Sequence, residues 1–389
     1  MAYYSRISKV VESLPPSGIR QFFDLVIGMP DVVSLGVGEP DFPTPWHICE
    51  RAIYSIERGY TSYTSNRGLR ELRLAICEKI YRKWGVSYDP DTQCLITVGV
   101  SEGVDLALRA IINPGDKVLV IRPSYVSYAP VAMMAGANVV YLDLDEKTEF
   151  KLHPELLKSI VRREGSIKAM VFNYPCNPTG VSYTYEELSS IFKVIEDLGI
   201  ILLSDEIYDG LTYDFAHTPS FVFGGLRDRL IYLNGFSKTF AMTGWRIGYV
   251  LGPEDIISAM TKIHQYTMLC APIMGQVAAI EAVEHGSKEL EHMRNEYRRR
   301  RNFIVSELNR LGLKTRLPEG AFYTYTDISI TGMDSMEFAQ KLLQEEKVAV
   351  VPGIAFSPEG DKFVRISYAS SLDKLRQAVF RMEAFLERL

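Results

Sequence analysis

The interpretation of the sequence starts from one stretch, Leu233-Asn234-Gly235-Phe236-Ser237-Lys238-Thr239-Phe240-Ala241-Met242-Thr243-Gly244-Trp245-Arg246-Ile247-Gly248-Tyr249. Lys238 and Arg246 are its only charged residues, and most of the others are apolar, aromatic or glycine. These surroundings predict a buried lysine. Burial disfavours the ammonium form and can lower its pKa by up to about 3 to 5 units from about 10.4. A neutral lysine can form an imine with an aldehyde and then act as a base.

Short apolar runs flank this stretch and recur from residue 46 to residue 285, where they alternate with amphipathic patterns. The runs are Leu95–Gly99, Lys117–Ile121, Asn138–Leu144, Ala169–Asn173, Ile200–Ser204, Leu230–Asn234 and Ile247–Leu251. The alternation predicts an α/β fold with a mostly parallel, seven-stranded sheet sandwiched by helices. In such sheets the ligand crevice lies beyond the carboxyl ends of the strands.

Two other regions complete the predicted domain organisation. Residues 1–45 are rich in proline and glycine, which predicts an arm that packs as part of a smaller domain. Residues 46–285 form the large domain. Residues 286–389 form a small α+β domain, with a long polar helix from Glu289 to Leu311 and strands at Lys347–Val351 and Phe363–Ser367.

The composition excludes several classes of protein. The 389 residues are 47% hydrophobic and 23% charged, as in an ordinary water-soluble globular protein. The net charge of -5 argues against nucleic-acid and membrane-surface partners. The one basic run, residues 297–301, is expected on the solvated side of a helix.

The cysteines and the N-terminal segment bear on localisation. Five widely spaced cysteines predict neither a disulfide framework nor a metal site. Residues 1–6 do not resemble a signal segment, and no run approaches 18 consecutive apolar residues. We therefore expect a cytoplasmic protein.

Three strand ends carry further candidate site residues. Thr97–Gly103 runs through a glycine turn into a helix, which suits a phosphate but equally suits a plain turn. Asn173–Gly180 is a tight turn in which the Asn177 amide can donate to a phenolate oxygen. Asp205 and Glu206 follow a buried strand, where one of them either caps a helix or faces a cation such as a protonated pyridine nitrogen.

Together these features resemble fold type I enzymes that use pyridoxal 5'-phosphate (PLP), specifically the class I aminotransferases that act on aspartate and aromatic amino acids. The motifs are NPTG at 177–180, DEIY at 205–208 and SKxxxxxGWR at 237–246. The similarity extends from 34–42 to 364–369. It implies PLP as cofactor, amino acids and 2-oxo acids as substrates, and a ping-pong reaction.

The resemblance implies roles for residues around the PLP ring. Lys238 would hold the aldehyde and then act as the general base, and Asp205 would pair with the pyridinium nitrogen. Asn177 and Tyr208 would bond the O3' oxygen. Tyr125 would stack on the ring, where several relatives have tryptophan.

The resemblance also implies a phosphate site. Main-chain groups at Val100, Ser101 and Glu102 would contact the phosphate, together with the Ser237 hydroxyl and Arg246. Tyr63 would reach the phosphate of the neighbouring subunit, which implies a homodimer with shared active sites.

On the substrate side, Arg365 would grip the α-carboxylate, unless it is an ordinary exposed strand arginine. The main chain at Gly38 would approach the substrate, and the arm around it would close over the amino acid. The family also predicts a cis bond at Asn177-Pro178.

The donor amino acid is the open question. Dicarboxylate specialists of the family carry an extra cation, but here His264–Pro272 and Ser101 occupy those positions and supply none. This favours an aromatic, large apolar or broad range that includes aspartate, with 2-oxoglutarate as acceptor. Ser5-Arg6-Ile7 and Pro16–Arg20 are similar to N-acetyl-LL-diaminopimelate aminotransferases, which is one alternative.

Two further classes compete with this prediction. A PLP-dependent carbon-sulfur lyase or a racemase would use the same Lys238 and Asp205. A PLP-sensing transcription regulator would carry an N-terminal helix-turn-helix domain, whereas here the arm begins within about twenty residues of Met1.

Overall fold

The computed structural model describes residues 6–14 and 29–389. The sequence similarity noted for Ser5 and for Pro16–Arg20 lies outside these residues. The strands are β1 (Val33–Ser34), β2 (Cys94–Thr97), β3 (Lys117–Arg122), β4 (Asn138–Asp143), β5 (Ala169–Asn173), β6 (Ile201–Asp205), β7 (Leu230–Gly235), β8 (Gly248–Leu251), β9 (Tyr323–Asp327), β10 (Val348–Ala349), β11 (Val351–Pro352) and β12 (Phe363–Ser367).

Helices connect these strands and cover the larger sheet. They are α1 (Lys9–Glu12), α2 (Trp46–Glu57), α3 (Arg70–Trp84), α4 (Gly99–Ile111), α5 (Tyr128–Met134), α6 (Pro154–Glu164), α7 (Tyr185–Leu198), α8 (Glu254–Thr267), α9 (Ile273–His285), α10 (Ser287–Arg310), α11 (Ser335–Glu346) and α12 (Leu372–Leu386). Among the described residues, no helix combines the length and the apolarity needed to cross a bilayer.

The larger sheet has seven strands in the order β2-β8-β7-β6-β5-β3-β4. All neighbouring pairs are parallel except those made by β8, which is antiparallel to β2 and β7. The predicted mostly parallel α/β sheet is therefore confirmed. β2 ends at Thr97, earlier than predicted, because the chain turns at Gly99, which has a φ of +72°.

Both faces of this sheet are buried. Successive side chains of a strand point to opposite faces, so Leu202 packs in one apolar core and Leu203 in the other. This explains why the strands appear in the sequence as continuous apolar runs rather than as alternating patterns.

The remaining strands form two small sheets. The predicted strand Lys347–Val351 is divided into β10, which pairs in parallel with β1 of the arm, and β11, which pairs antiparallel with β12. A separate apolar core contains Val33 and Leu35 of the arm with Phe338, Val348 and Val364. The domain boundaries at 45 and 285 stay a prediction.

The basic run 297–301 is not simply a solvated helix face, so this prediction was wrong. Arg298 and Arg299 are exposed, but Tyr297, Arg300 and Arg301 are buried. Positions 297, 300, 301 and 304 share one face of α10, and this face points inward. The buried guanidinium groups pair with Asp41 at 2.8 Å and with Asp214 at 2.6 Å, respectively.

Candidate active site

A cavity of about 540 Å³ lies at the carboxyl ends of the parallel strands. Most of the residues predicted from the sequence line it: Gly38, Val100, Ser101, Tyr125, Asn177, Asp205, Tyr208, Ser237, Lys238, Arg246 and Arg365. Two predicted residues do not line it. The Glu102 carboxylate is bonded to His264, which does not line the cavity, and Tyr63 lies elsewhere on the surface with 83% of its area exposed.

Lys238 follows β7 and extends into the cavity. Its Nζ donates to the carbonyl oxygen of Gly38 at 2.7 Å. Burial lowers the pKa of the Lys238 ammonium to about 8, while the Glu39 carboxylate opposes this change and Arg246 adds to it. A minor fraction of the amine, on the order of a tenth at pH 7, is therefore neutral, which is far more than for an exposed lysine.

Asp205 is the last residue of β6, and its carboxylate faces the same cavity. The Tyr128 hydroxyl donates to Oδ2 at 2.6 Å, and the main-chain N–H of Ile207 donates to Oδ1 at 3.1 Å. Burial raises the pKa of Asp205 to about 6, although the bond from Tyr128 opposes this increase. A short 3-10 turn rather than an α-helix follows, so Asp205 does not cap a helix.

Glu206 points away from the cavity although it is the next residue along the chain. Its side chain is completely buried. Its carboxylate accepts bonds from the Ser204 hydroxyl, from the Ser220 hydroxyl and N–H, and from the Tyr174 hydroxyl. It also lies 2.7 Å from Nε2 of His217. The two acids of the motif therefore have different surroundings.

Arg365, in the middle of β12, is only 3% exposed, so the alternative of an exposed strand arginine was wrong. Its Nη1 donates to Oδ1 of Asn177 at 2.9 Å, and its Nη2 donates to the Gly36 carbonyl oxygen at 2.6 Å. Its Nε is buried without a hydrogen-bond partner among the described residues. The guanidinium lies over the Tyr323 ring, 4.4 Å from its centroid. This arrangement leaves a fixed cation directed at the cavity.

Tyr128 and Tyr323 are cavity residues that sequence reasoning missed. The Tyr323 hydroxyl lies 3.0 Å from that of Tyr208. A Cβ at Gly38 would lie 2.8 Å from the Tyr323 hydroxyl, so glycine is required for this close approach. The spacing of Tyr128 three residues after Tyr125 gave a weak signal, and nothing local marked Tyr323.

The turn between β2 and α4 forms another wall of the cavity. A Cβ at Gly99 would lie 2.5 Å from Nη2 of Arg246, and a Cβ at Gly248 would lie 2.6 Å from the carbonyl carbon of Gly99. Only glycines allow the turn to pack this closely. The first N–H groups of α4 have no partner within the helix, and with Arg246 and Ser237 nearby they are donors of the kind that suit an anion.

The donor set fits PLP group by group. The first turn of α4 and Arg246 suit a phosphate, and the buried carboxylate of Asp205 suits a protonated ring nitrogen. The partly neutral amine of Lys238 suits an aldehyde. The predicted cis bond at Asn177-Pro178 is confirmed, and Arg122-Pro123 and Tyr174-Pro175 are also cis.

Comparison with known proteins identifies the class. Residues 30–382 match the family described as "Aminotransferase class I and II". The chain is 42% identical over 383 residues to the aspartate aminotransferase of Pyrococcus abyssi, covering 98% of each chain. It is 41% identical over 370 residues to the "Probable N-acetyl-LL-diaminopimelate aminotransferase" of Bacillus subtilis, covering 95% of this chain and 93% of the other.

A solved structure extends the comparison to the fold. The aromatic aminotransferase from Pyrococcus horikoshii superposes with a TM-score of 0.89 at 41% identity, covering 95% of this chain and 99% of that one. The chain therefore belongs to the class I and II aminotransferases and has the fold type I architecture. Enzymes of this family depend on PLP.

Proposed function

We propose that this aminotransferase moves the amino group of an L-amino acid to 2-oxoglutarate by a ping-pong mechanism, with PLP held by Lys238. The observation that carries the proposal is the geometry of one cavity. Lys238, with its lowered pKa, lines the same cavity as the buried acid Asp205 and the buried cation Arg365. Transamination of an amino acid needs all three groups. Lys238 is the base, Asp205 is the partner of the electron-withdrawing ring, and Arg365 is the anchor of the substrate carboxylate.

When bound, PLP withdraws electrons from the substrate Cα. The neutral amine of Lys238 would take the proton from the substrate Cα and deliver it to the cofactor carbon that receives the amino group. The Asp205 carboxylate keeps a positive charge on the ring nitrogen, because an ion pair at about 4 Å and an effective dielectric near 20 contributes roughly 4 kcal/mol. Tyr128 fixes the orientation of this carboxylate by its bond to Oδ2.

The remaining cofactor contacts follow from the walls of the cavity. The first turn of α4 at Val100 and Ser101, the Ser237 hydroxyl and Arg246 hold the phosphate. The Asn177 amide nitrogen and the Tyr208 hydroxyl bond the phenolic oxygen. Asn177 Oδ1 accepts from Arg365, so its amide nitrogen is the group free to donate.

Charge distribution in the cavity supports the substrate class. Its cations, among the described lining residues, are Lys238, Arg246 and Arg365, and each already has a role. Val104, Val131 and the Tyr125 ring provide apolar surface. A distal carboxylate finds no additional cation there, so we favour aromatic or large apolar side chains, within a range that includes aspartate.

We also propose that the enzyme acts as a homodimer in the cytoplasm. The proposal rests on the resemblance of Tyr63 to the tyrosine that reaches the phosphate of the neighbouring subunit in related enzymes, and the 83% exposed fraction of Tyr63 leaves its ring accessible to such a contact. Equilibrium sedimentation tests the proposed dimer, and a monomer at micromolar concentration contradicts it.

A half-reaction screen tests the substrate assignment. Loss of the absorbance of the Lys238-bound cofactor is followed with each amino acid in the absence of any oxo acid. The panel is phenylalanine, tyrosine, leucine, methionine, aspartate and N-acetyl-LL-2,6-diaminopimelate. Conversion with the aromatic and apolar donors is expected to be fastest. Conversion with the acetylated substrate alone contradicts the assigned range, and catalytic release of pyruvate and ammonia identifies a lyase instead.

A further inference from the structure

The carboxylate of Glu102 is turned away from the cavity although the residue lies in the first turn of α4. Its Oε2 accepts a bond from the main-chain N–H of Val98 at 2.5 Å. Its Oε1 lies 2.6 Å from Nδ1 of His264, in the last turn of α8. The His264 side chain is completely buried, and that of Glu102 is 8% exposed.

The bond from the Val98 N–H to Glu102 leaves the next three N–H groups of the helix, those of residues 99–101, without an acceptor in the described part of the chain. The first four N–H groups of a helix, here those of 98–101, lack partners within the helix. The Val98 side chain makes no capping bond, so Glu102 supplies the missing acceptor. The N–H groups of 99–101 then remain available to an anion from outside the helix.

The contact with His264 determines where the Glu102 carboxylate lies relative to the N-terminus of α4. A carboxylate in the first turn of a helix is attracted to the same N-terminal dipole as a phosphate and would compete with it for the free N–H groups. A bond from the imidazole draws the carboxylate to the side of α8. The other ring nitrogen of His264, Nε2, is buried without a partner among the described residues, so Glu102 is the group that holds this ring in place.

We propose that Glu102 and His264 are a positioning pair that shapes the phosphate site of the cofactor. The pair holds the Val98 N–H and keeps the Glu102 carboxylate out of the anion site, so that the first turn of α4 is open to the phosphate. The inference rests on the proposed binding of PLP. It assigns to the Glu102 side chain a role distinct from the direct main-chain contact predicted from the sequence.

A purely structural role, in which the pair only joins α4 to α8, predicts a different result. Loosening two helices weakens binding of every form of the cofactor alike. A role at the phosphate site affects PLP and spares pyridoxal, which has the same ring and aldehyde but no phosphate. The ratio of the two dissociation constants therefore separates the two roles.

The experiment measures dissociation constants of PLP and pyridoxal by absorbance titration of the apoprotein. In Glu102→Ala, the dissociation constant for PLP should rise about tenfold, while that for pyridoxal should change less than about threefold. Glu102→Gln keeps an oxygen acceptor for Val98 and should restore most of the PLP affinity. His264→Leu should resemble Glu102→Ala in direction, and His264→Asn, which keeps a donor near the Nδ1 position, should be milder.

His217→Leu is the matched control, because His217 is also a buried histidine bonded to a glutamate but lies outside the cavity lining. Its ratio should equal that of the wild type. Equal losses for PLP and pyridoxal in both Glu102→Ala and His264→Leu overturn the inference alone. Wild-type apoprotein that takes up no PLP overturns the proposed function and the inference with it.

Discussion

The two sides of the active-site cavity are built in different ways. The sheet side consists of Tyr128, Asp205 and Arg246, which belong to strand ends of the large sheet and to the segments that follow them. The arm side consists of Gly38 of the arm and Arg365 of β12, which are more than 300 residues apart in the chain. The Arg365 side chain is joined to the arm by its bond to the carbonyl oxygen of Gly36. Lys238 bridges the two sides, because it follows β7 and its Nζ donates to Gly38.

We therefore expect the two sides of the cavity to bind different ligands. Groups of the sheet side are fixed by a rigid, buried sheet and suit a cofactor that stays bound. Groups of the arm side depend on the packing of a short strand, β1, against β10 and suit a substrate that must enter and leave. Substitutions on the two sides should therefore affect different measurements.

The largest effect is expected from removing the bridge. Lys238→Ala should reduce transamination by at least about 10⁴-fold, because both the covalent attachment and the base are lost. Steady-state assays with wild-type and variant protein measure this. Lys79→Ala is the control, since Lys79 also has its pKa lowered by burial but lies outside the cavity. Residual activity near the wild-type level in Lys238→Ala contradicts the assigned role.

On the sheet side, Asp205→Asn should lower kcat on the order of 10³-fold, because the ring nitrogen loses the charge that keeps it protonated. Stopped-flow measurement of the Cα proton transfer is the direct test. Glu206→Gln changes the neighbouring acid and should leave kcat of the folded enzyme nearly unchanged. It should lower the melting temperature, because one of the buried groups that donate to Glu206 would lose its acceptor. The reverse pattern would show that the functional acid was misassigned.

The same substitution, Asp205→Asn, should lower kcat but increase the folding stability of the apoprotein. Its pKa is raised from 3.8 to about 6 in the folded protein, so ionisation costs more in the folded state than in the unfolded state. The free energy of unfolding therefore falls as the pH rises from about 4 to about 6, and the full loss is reached above about pH 6. Asp205→Asn apoprotein should therefore melt at a higher temperature than wild type at pH 7, and calorimetry checks the sign.

On the arm side, Arg365→Lys should reduce kcat/KM on the order of 10²-fold for amino acids, because an ammonium cannot replace the fork of a guanidinium. The affinity for PLP should be unchanged. Arg246→Lys is the complementary variant and should weaken PLP binding more than substrate binding. If each substitution weakens both ligands equally, the cavity does not have two independent sides.

The bridge itself should show a pH dependence. With a pKa of about 8, Lys238 is neutral in about a tenth of molecules at pH 7, so capture of PLP by the apoprotein should accelerate about tenfold towards pH 9 and then level off. Glu39 raises this pKa, so Glu39→Gln should move the midpoint to lower pH. Stopped-flow absorbance across pH 6 to 10 measures it, with the exposed Glu50→Gln as control. A midpoint near 10 contradicts the burial of the amine.

The smallest effect is expected where the two sides meet. Tyr323→Phe removes the hydroxyl that lies 3.0 Å from Tyr208 and should raise KM by about two- to tenfold, with little change in kcat. Tyr325→Phe, on the same strand but outside the cavity lining, is the matched control. A larger loss in kcat than in affinity would place Tyr323 in the chemical step.

The sheet side could be predicted largely from the sequence. Seven apolar runs separated by helical patterns specify a buried parallel sheet, and the geometry of such sheets brings the ends of their strands to one edge. Lys238, Asp205 and Asn177 were found for this reason, since each lies within four residues after the end of an apolar run. The resemblance to known enzymes then supplied their proposed roles.

The tertiary structure alone decided the other features. Tyr323 and the carbonyl oxygen of Gly36 have no local signal, because their importance comes from contacts with residues far away in the chain. Asp205 and Glu206 are equivalent by residue type and position, and the choice of Asp205 came from the resemblance alone. Packing supplies the physical difference, since Asp205 faces the cavity and Glu206 is buried in a hydrogen-bond network. The basic run of α10 was misread for the same reason, since local charge does not show which helix face is covered. Periodicity and residue type determine elements and their burial, whereas the direction in which a buried polar group points depends on its long-range partners.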